Sequence, residues 1–381
     1  MTSRAGSTGI DATLYRREGQ WCTALVDVSL GTTAAQEAVD ALPEKVRKIL
    51  GSQQATEADI LALTEVLVPA AGHASPVARF VAVNNGEVVL DEVISGLNVQ
   101  TPDINCGPFP NLVALARARG GQFPYLVAEA SKDGGEVRLY HSSVKGVEES
   151  RGVTGDPEEA HHARKVPGRY DEPKNQSSTE EIWRRNAEDL AQQIDELARD
   201  HQVRLIVLAG DIKARELVAS KLGAANKPIT SILEQHTRTG GADQRAFAQA
   251  VQEKVDEVLG RDLQELSARV SNRSGNGRTD LALGFESVVA ALQQAQVETV
   301  LVSEYQDDQT LIALKADPWL LSEEAEDHAE LVIGSWPAPE VLLRASALTD
   351  ASIRYVPAGV LPGGVGIAAL LRWPQAAEAS A

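Results

Sequence analysis

The side chains most able to do chemistry crowd into one short stretch, His161-His162-Ala163-Arg164-Lys165-Val166-Pro167-Gly168-Arg169-Tyr170. Adjacent histidines on a helix or strand do not normally turn both imidazoles toward one ion, and no third ligand lies nearby, so no metal is expected here. Arg164, Lys165 and Arg169 can pair with phosphates, Tyr170 offers a stacking face, and Pro167-Gly168 supply a bend. That combination fits a tip that touches phosphate or RNA. A solvated surface loop has the same composition, and the residues alone leave both readings open.

Other motifs say less. Gly120-Gly121-Gln122 abuts the first strand of a middle domain, where an interdomain hinge needs the conformational freedom of glycine. Gly240-Gly241-Ala242, near Arg238 and Arg245, reads as a turn before a helix. The basic stretch "SNRSGNGRTD", with Arg273 and Arg278, reads as a linker, with phosphate contact as the alternative. The turn in "LAGDIKARE" lacks any GxGxxG or GKS/T pattern, so no nucleotide site is expected. Cys22 and Cys106 have no close Cys or His partner in sequence. Neither a disulfide framework nor a zinc site is expected, and a reducing cytoplasm is the natural setting. No Ser/His/Asp or Cys/His arrangement stands out, and no cofactor is called for.

The elements that must position these residues can be read from periodicity. The chain has 381 residues with 43% hydrophobic content, which favours two or three domains, each with its own core. The net charge of −18 argues against indiscriminate nucleic-acid binding but leaves room for local basic patches. The first residues lack an apolar core of signal-peptide length, and no apolar run approaches a membrane span. "QWCTALVDVSL" reads as a buried strand. Helical spacing follows from Thr32 to Leu50, interrupted by Pro43, and a second helix covers "ATEADILALTEVL". "ARFVAVNNGEVVLDEVIS" is a hairpin turning at Asn84-Asn85-Gly86. These elements make residues 1–122 an α+β domain.

A middle α/β domain spans 123–265. A hairpin at Asp133-Gly134-Gly135 opens it, and a polar loop at 147–177 follows, long enough to be functional or disordered. Ser178-Thr179-Glu180-Glu181 reads as a capping box for a helix running to about Arg199. "VRLIVLAG" is a strand of the buried, parallel kind. A long helix carries Phe247, Val251, Val255, Leu259, Leu263, Leu266 and Val270 along one stripe. Strand and helix alternate again over 266–381, an α/β/α sandwich.

The stretches "VRLIVLAGDIKARELVASKL" and "LGRDLQELSARVSNRSGNGRTDLALGFESVVAALQQAQVETVLVSEY" resemble the archaeo-eukaryotic peptide-chain release factor and Pelota superfamily. The N-terminal "ARFVAVNNGEVVLDEVIS" resembles its bacterial branch. The resemblance implies a three-domain, tRNA-shaped architecture with α/β and α+β domains. In hydrolytic members a Gly-Gly-Gln tip lies inside the middle domain, and the equivalent interval here, 147–177, holds none. Nor does the N-terminal domain contain the stop-codon-associated Asn-Ile-Lys-Ser. Such a scaffold without its hydrolytic tip implies a non-enzymatic ribosome-binding factor of idle, stressed cells. It would occupy the A site, with the N-terminal domain at the decoding centre and the middle-domain loop at the peptidyl-transferase centre. Elongation factor Tu is the partner implied; neither a membrane nor DNA is. Arg164, Lys165, Pro167, Gly168, Arg169 and Tyr170 become the candidate rRNA contacts. Arg273, Arg278, Lys45, Arg47 and Lys48 are further candidates for rRNA or a partner. A peptidyl-tRNA hydrolase or rescue factor using another loop residue, such as Gln176, is the alternative. An acidic interaction protein unrelated to translation is the third reading.

Overall fold

The structure, a computed structural model, describes residues 10–70, 75–120, 123–131, 133–142, 149–154, 172–234, 244–274, 280–303, 309–323 and 326–374. Chain contacts divide it into two compact units. One comprises the described residues of 123–261, the other those of 10–122 together with those from 262 onward.

In the N-terminal segment, β1 (Trp21–Asp27), β2 (Val77–Asn84), β3 (Glu87–Ser95) and β4 (Asp103–Gly107) form an antiparallel sheet in the order β3-β2-β1-β4. The β2–β3 turn has Asn85 at φ 52° and Gly86 at φ 78°. This is the left-handed pair that the Asn-Asn-Gly sequence demands of a two-residue hairpin. The buried Asp59 carboxylate accepts the Gly86 amide at 2.6 Å and the Thr56 hydroxyl at 2.6 Å, tying that turn to the helix below it. Pro43 splits the helical run as its ring requires: helices Thr33–Asp40 and Leu42–Ser52 meet there, with the proline in the first turn of the second. Helix Glu57–Glu65 follows. Alternation along β1 sends Cys22, Ala24 and Val26 into the core beneath these helices and Trp21 and Leu25 to the opposite face.

The middle unit contains β5 (Pro124–Ser131), β6 (Gly134–His141), β7 (Glu149–Thr154), β8 (Leu205–Gly210) and β9 (Thr230–Ile232), in the order β7-β6-β5-β8-β9. β5, β8 and β9 run parallel. Helices Glu172–Asp200 and Ile212–Lys221 cover one face through Leu190, Ile194, Leu197 and Val218. Val251 and Val255 of helix Gln244–Ser274 cover the other, against Tyr125, Val127 and Val207. Gly210 adopts φ +110°, and a Cβ there would lie 2.0 Å from the Ala130 carbonyl oxygen. Asp211 then caps helix Ile212–Lys221, accepting the amides of Lys213 at 3.0 Å and Ala214 at 3.2 Å.

In the C-terminal segment come β10 (Leu281–Leu283), β11 (Val297–Val302), β12 (Thr310–Leu314), β13 (Leu320–Leu321), β14 (Val332–Pro337), β15 (Ser352–Tyr355) and β16 (Ile367–Leu371). They form one sheet ordered β10-β16-β11-β15 and another ordered β13-β12-β14. The larger sheet has helices on both faces, giving the α/β/α layering expected. Val288, Leu292 and Leu342 of helices Phe285–Gln293 and Ala338–Leu348 pack with Val300 and Ala369. Leu266 and Val270, at the end of helix Gln244–Ser274, pack with Leu301 and Leu370.

The N- and C-terminal segments share one core. Trp21, Phe80, Leu112 and Leu115 join Val300, Leu311 and Leu342 in a single apolar cluster. At its centre Arg344, only 3% exposed, lies 5.4 Å from the Phe109 ring centroid and 5.8 Å from that of Trp319. Trp336 meets Phe109 edge-on at 5.4 Å. At the rim of this core Glu340 shares its surroundings with Asp103, and burial, then that second carboxylate, pushes its pKa up to about 7.

Two predictions follow from this packing. Gly210→Ala should cost the middle unit more than about 3 kcal/mol in urea unfolding, since both φ and space are wrong for a methyl group. Glu340 is raised above its ordinary value in the native state, so its stabilising contribution is intact below about pH 4.5. It is lost as pH rises toward 7. Glu340→Gln should therefore match the parent's thermal midpoint at pH 4.5 and exceed it at pH 8.

Candidate nucleic-acid interface

The stretch that carries the basic cluster is bounded by two well-anchored elements. At its start, β7 forms an edge strand paired with β6 from Leu139↔Glu149 to Gly134↔Thr154. The sequence hides it, because "ESRGVT" has no apolar alternation; ion pairs stand in for most of the apolar packing. Arg151 donates to Glu149 at 2.8 Å and approaches Glu196 at 3.7 Å, and His201 lies 3.4 Å from Glu149. These pairs bind the edge to helix Glu172–Asp200. On the opposite face the Ser150 hydroxyl donates to Glu136 at 2.6 Å. Glu136 in turn accepts from Arg138 at 2.6 Å, and Arg138 also reaches Glu129 at 3.0 Å. The Glu136 carboxylate holds the Arg138 guanidinium well above its ordinary pKa.

At the far end the helix begins at Glu172 and runs through the expected capping box at Ser178 without a break. Its buried stripe of Ala187, Leu190, Ala191, Ile194 and Leu197 fixes it on the sheet. Asp195 accepts the Gly223 amide at 2.9 Å and the Asn226 side-chain amide at 2.6 Å, clamping the next connection. The interval between β7 and this helix is thus residues 155–171 rather than the whole of 147–177.

Arg164, Lys165, Pro167, Gly168, Arg169 and Tyr170, with His161 and His162, lie outside the described residues, as do Arg278 and Gly240-Gly241-Ala242. The described candidates are not brought together. Arg273 ends helix Gln244–Ser274, only 22% exposed in its side chain, 3.5 Å from Asp280 and 3.7 Å from Glu298. It also donates to the carbonyls of Asp280 at 3.4 Å and Leu371 at 3.3 Å, so its guanidinium closes the C-terminal sheet. Lys45, Arg47 and Lys48 all lie on the exposed side of helix Leu42–Ser52, opposite the buried Leu42, Val46 and Leu50. Arg47 pairs with Glu57 at 2.8 Å. Gly120 is the C-cap of helix Val113–Arg119, its amide bonded to the Ala116 carbonyl at 2.8 Å. Gly121 and Gln122 are outside the described residues, and the boundary between units falls between 122 and 123.

Sequence reading missed a cleft at the carboxyl end of β5, lined by Ser131, Trp183, Asn186, Lys213 and Leu217. It sets an indole, a buried amide and an ammonium group beside the amino end of helix Ile212–Lys221. Open α/β sheets receive ligands at this end of their strands. Its members come from three separate elements, which no local pattern links. Among the described residues no group of three or more His, Cys, Asp or Glu could hold a metal ion. No described helix is long and apolar enough to cross a membrane.

Residues 124–276 match the model of bacterial archaeo-eukaryotic release factor family 2. That match is what the middle stretch is similar to, over well under half of the chain. No curated protein sequence matches the chain. Among solved structures, a Saccharomyces cerevisiae Dom34, described as a translation termination-like factor interacting with Hbs1, aligns at 10% identity and TM-score 0.42, covering 79% of this chain and 81% of its own. An archaeal Pelota from a ribosome-bound assembly with ABCE1 aligns at 13% identity and TM-score 0.40, covering 98% and 99%. An archaeal termination factor, aRF1, aligns at 13% identity and TM-score 0.26, covering 96% and 99%.

The different surroundings of the basic residues yield a test. Arg273→Ala should destabilise its unit by about 1–3 kcal/mol, because carboxylate partners are left half-buried. Replacing both Lys45 and Lys48 with Ala should change stability by less than about 0.5 kcal/mol. Urea unfolding of the purified variants measures both.

Proposed function

We propose that the protein is a non-enzymatic ribosome-binding factor that occupies the A site of idle ribosomes, in the manner of the hibernation factor Balon. The observation that carries this reading is the family match over residues 124–276 combined with the sequence of the interval 155–171. Where hydrolytic relatives keep a Gly-Gly-Gln tip, this chain has "GDPEEAHHARKVPGRYD". The resemblance ties peptide release to that glutamine, whereas Arg164, Lys165, Arg169 and Tyr170 are residue types suited to phosphate pairing and stacking.

In this reading the working domains are 1–122 on the decoding-centre side, 123–265 carrying the loop to the peptidyl-transferase centre, and 266–381 as the C-terminal sandwich domain, with elongation factor Tu as partner. A few local basic contacts on an acidic body suit a protein that docks at discrete rRNA points rather than along any nucleic acid. The exposed Lys45 and Lys48 are free to join such contacts, and Arg273 serves the fold.

The reading predicts that the protein co-sediments with ribosomes from starved, stationary cells in the cytoplasm, together with elongation factor Tu. Replacing Arg164, Lys165 and Arg169 with Ala should weaken association roughly ten- to a hundredfold and lower the log–log salt slope by about three. Absence from ribosomal fractions under starvation and stress would sink the proposal. Peptide release from stalled ribosomes by the purified protein, lost in Gln176→Ala, would instead establish the hydrolase.

A further inference from the structure

Cys22 and Cys106 are 84 residues apart in sequence, yet the Cys22 thiol donates to the Cys106 sulfur at 3.5 Å. The pairing of β1 with β4 places them directly opposite, flanked without irregularity by Trp21↔Gly107 and Thr23↔Asn105. Both are free thiols. We propose that this pair is a reversible two-electron oxidation site, at which a hydroperoxide converts the opposed thiols into a cross-strand disulfide.

The backbone already suits the product. Directly opposed residues of an antiparallel pair have Cα atoms about 4.5–5.5 Å apart, within the span of about 4.4–6.8 Å that disulfides bridge. Closing the sulfurs to about 2.05 Å then needs side-chain rotation and no shift of strands. The two thiols also differ in the way such chemistry requires. Cys22 is fully buried, under the helices that cover this face of the sheet. Cys106 is partly exposed on β4, an edge strand of its sheet among the described residues. The S–H of Cys22 holds the Cys106 thiol below its usual pKa, and the same hydrogen bond, with burial, raises that of Cys22. Cys106 is therefore the attacking thiolate and Cys22 the resolving thiol.

The steps balance. The Cys106 thiolate attacks the distal oxygen of hydrogen peroxide, the O–O bond breaks, and hydroxide leaves to become water. The resulting sulfenic acid is attacked by the Cys22 sulfur; the S–S bond forms, the S–O bond breaks, and water carries away the Cys22 proton. Two thiols lose two electrons, and one peroxide yields two waters. Gln53 ties β4 to the neighbouring helix through the Ile104 carbonyl at 3.3 Å. β4 leads directly to Phe109 at the Arg344 cluster, so the bond would pin the strand that delivers that ring.

The test uses the full chain. After limiting hydrogen peroxide, intact mass should fall by two hydrogens, both thiols should resist alkylation, and the thermal midpoint should rise by several degrees. Dithiothreitol should reverse all three. In Cys22→Ser the oxidation should stop at a dimedone-trappable sulfenic acid on Cys106, and in Cys106→Ser the remaining thiol should be inert. Two thiols still alkylatable after peroxide, an intermolecular dimer, or sulfinic acid on Cys106 of the parent would overturn the proposal. The parent measurement decides the matter even if either variant fails to fold.

Discussion

A guanidinium in a protein core is costly unless every face of it is occupied, and Arg344 is 3% exposed. Its solution is largely aromatic. Phe109 presents its ring at 5.4 Å and Trp319 at 5.8 Å, while the Trp319 carbonyl accepts a hydrogen bond at 3.4 Å. Burial lowers the guanidinium pKa from its ordinary value, and nearby Tyr15 partly offsets this. Rings that face a desolvated cation gain more than exposed ones do. Phe109 comes from the N-terminal segment and Trp319 from the C-terminal one, so both segments face this one charge, whose Nε finds no hydrogen-bond partner among the described residues. Gly107 is close to the C-terminal segment too: a Cβ there would stand 3.2 Å from the Trp336 ring.

With the two terminal segments committed to each other, the middle unit is an insertion between them and must hold itself together. It does so with a short parallel set of β5, β8 and β9 in which Gly210 leaves no room for a side chain against Ala130. The buried Arg215 reaches the Leu233 carbonyl at 2.6 Å and fastens the end of β9 to helix Ile212–Lys221. Its outer edge, β7, is held by its ladder to β6 and by charged pairs, with Val153 as its apolar contact. Charged edges resist pairing with other strands. Such an edge can flank a long polar connection and remain well placed itself.

Features set by a few adjacent residues were legible in the sequence: the Asn-Asn-Gly hairpin, the split at Pro43, the buried strand ending at Gly210. The Thr32 hydroxyl caps its helix by accepting the Ala35 amide at 3.1 Å, again a local pattern. Features set by distant residues were not. β7 carries little hydrophobic period because only Val153 packs on the core, while Ser150, Arg151 and Glu149 meet Glu136, Glu196 and His201. The start of the long helix at Glu172 rather than Ser178 shows that a capping-box sequence can also be accommodated inside a helix. Cys22 and Cys106 seemed isolated because register, not spacing, makes them neighbours. Arg273 resembled a linker charge until the fold set it against Asp280 and Glu298.

Gly120 shows how the same physics separates a motif from its chemistry. Its φ of −63° is open to any residue, so conformational freedom is not what glycine supplies there. Space is: a Cβ would meet the Ala116 carbonyl oxygen at 3.1 Å and the Tyr355 ring at 3.2 Å. Arg117, one turn earlier, lies over that same ring at 5.6 Å. The first glycine of the Gly-Gly-Gln tripeptide is therefore a half-buried packing residue at a helix end, hydrogen-bonded to Ala116 and close to the Tyr355 ring. A catalytic tip must leave its own core and enter another active site. Gly120 is instead held at its helix end, so residue types alone cannot assign its role apart from the ring packed beside it.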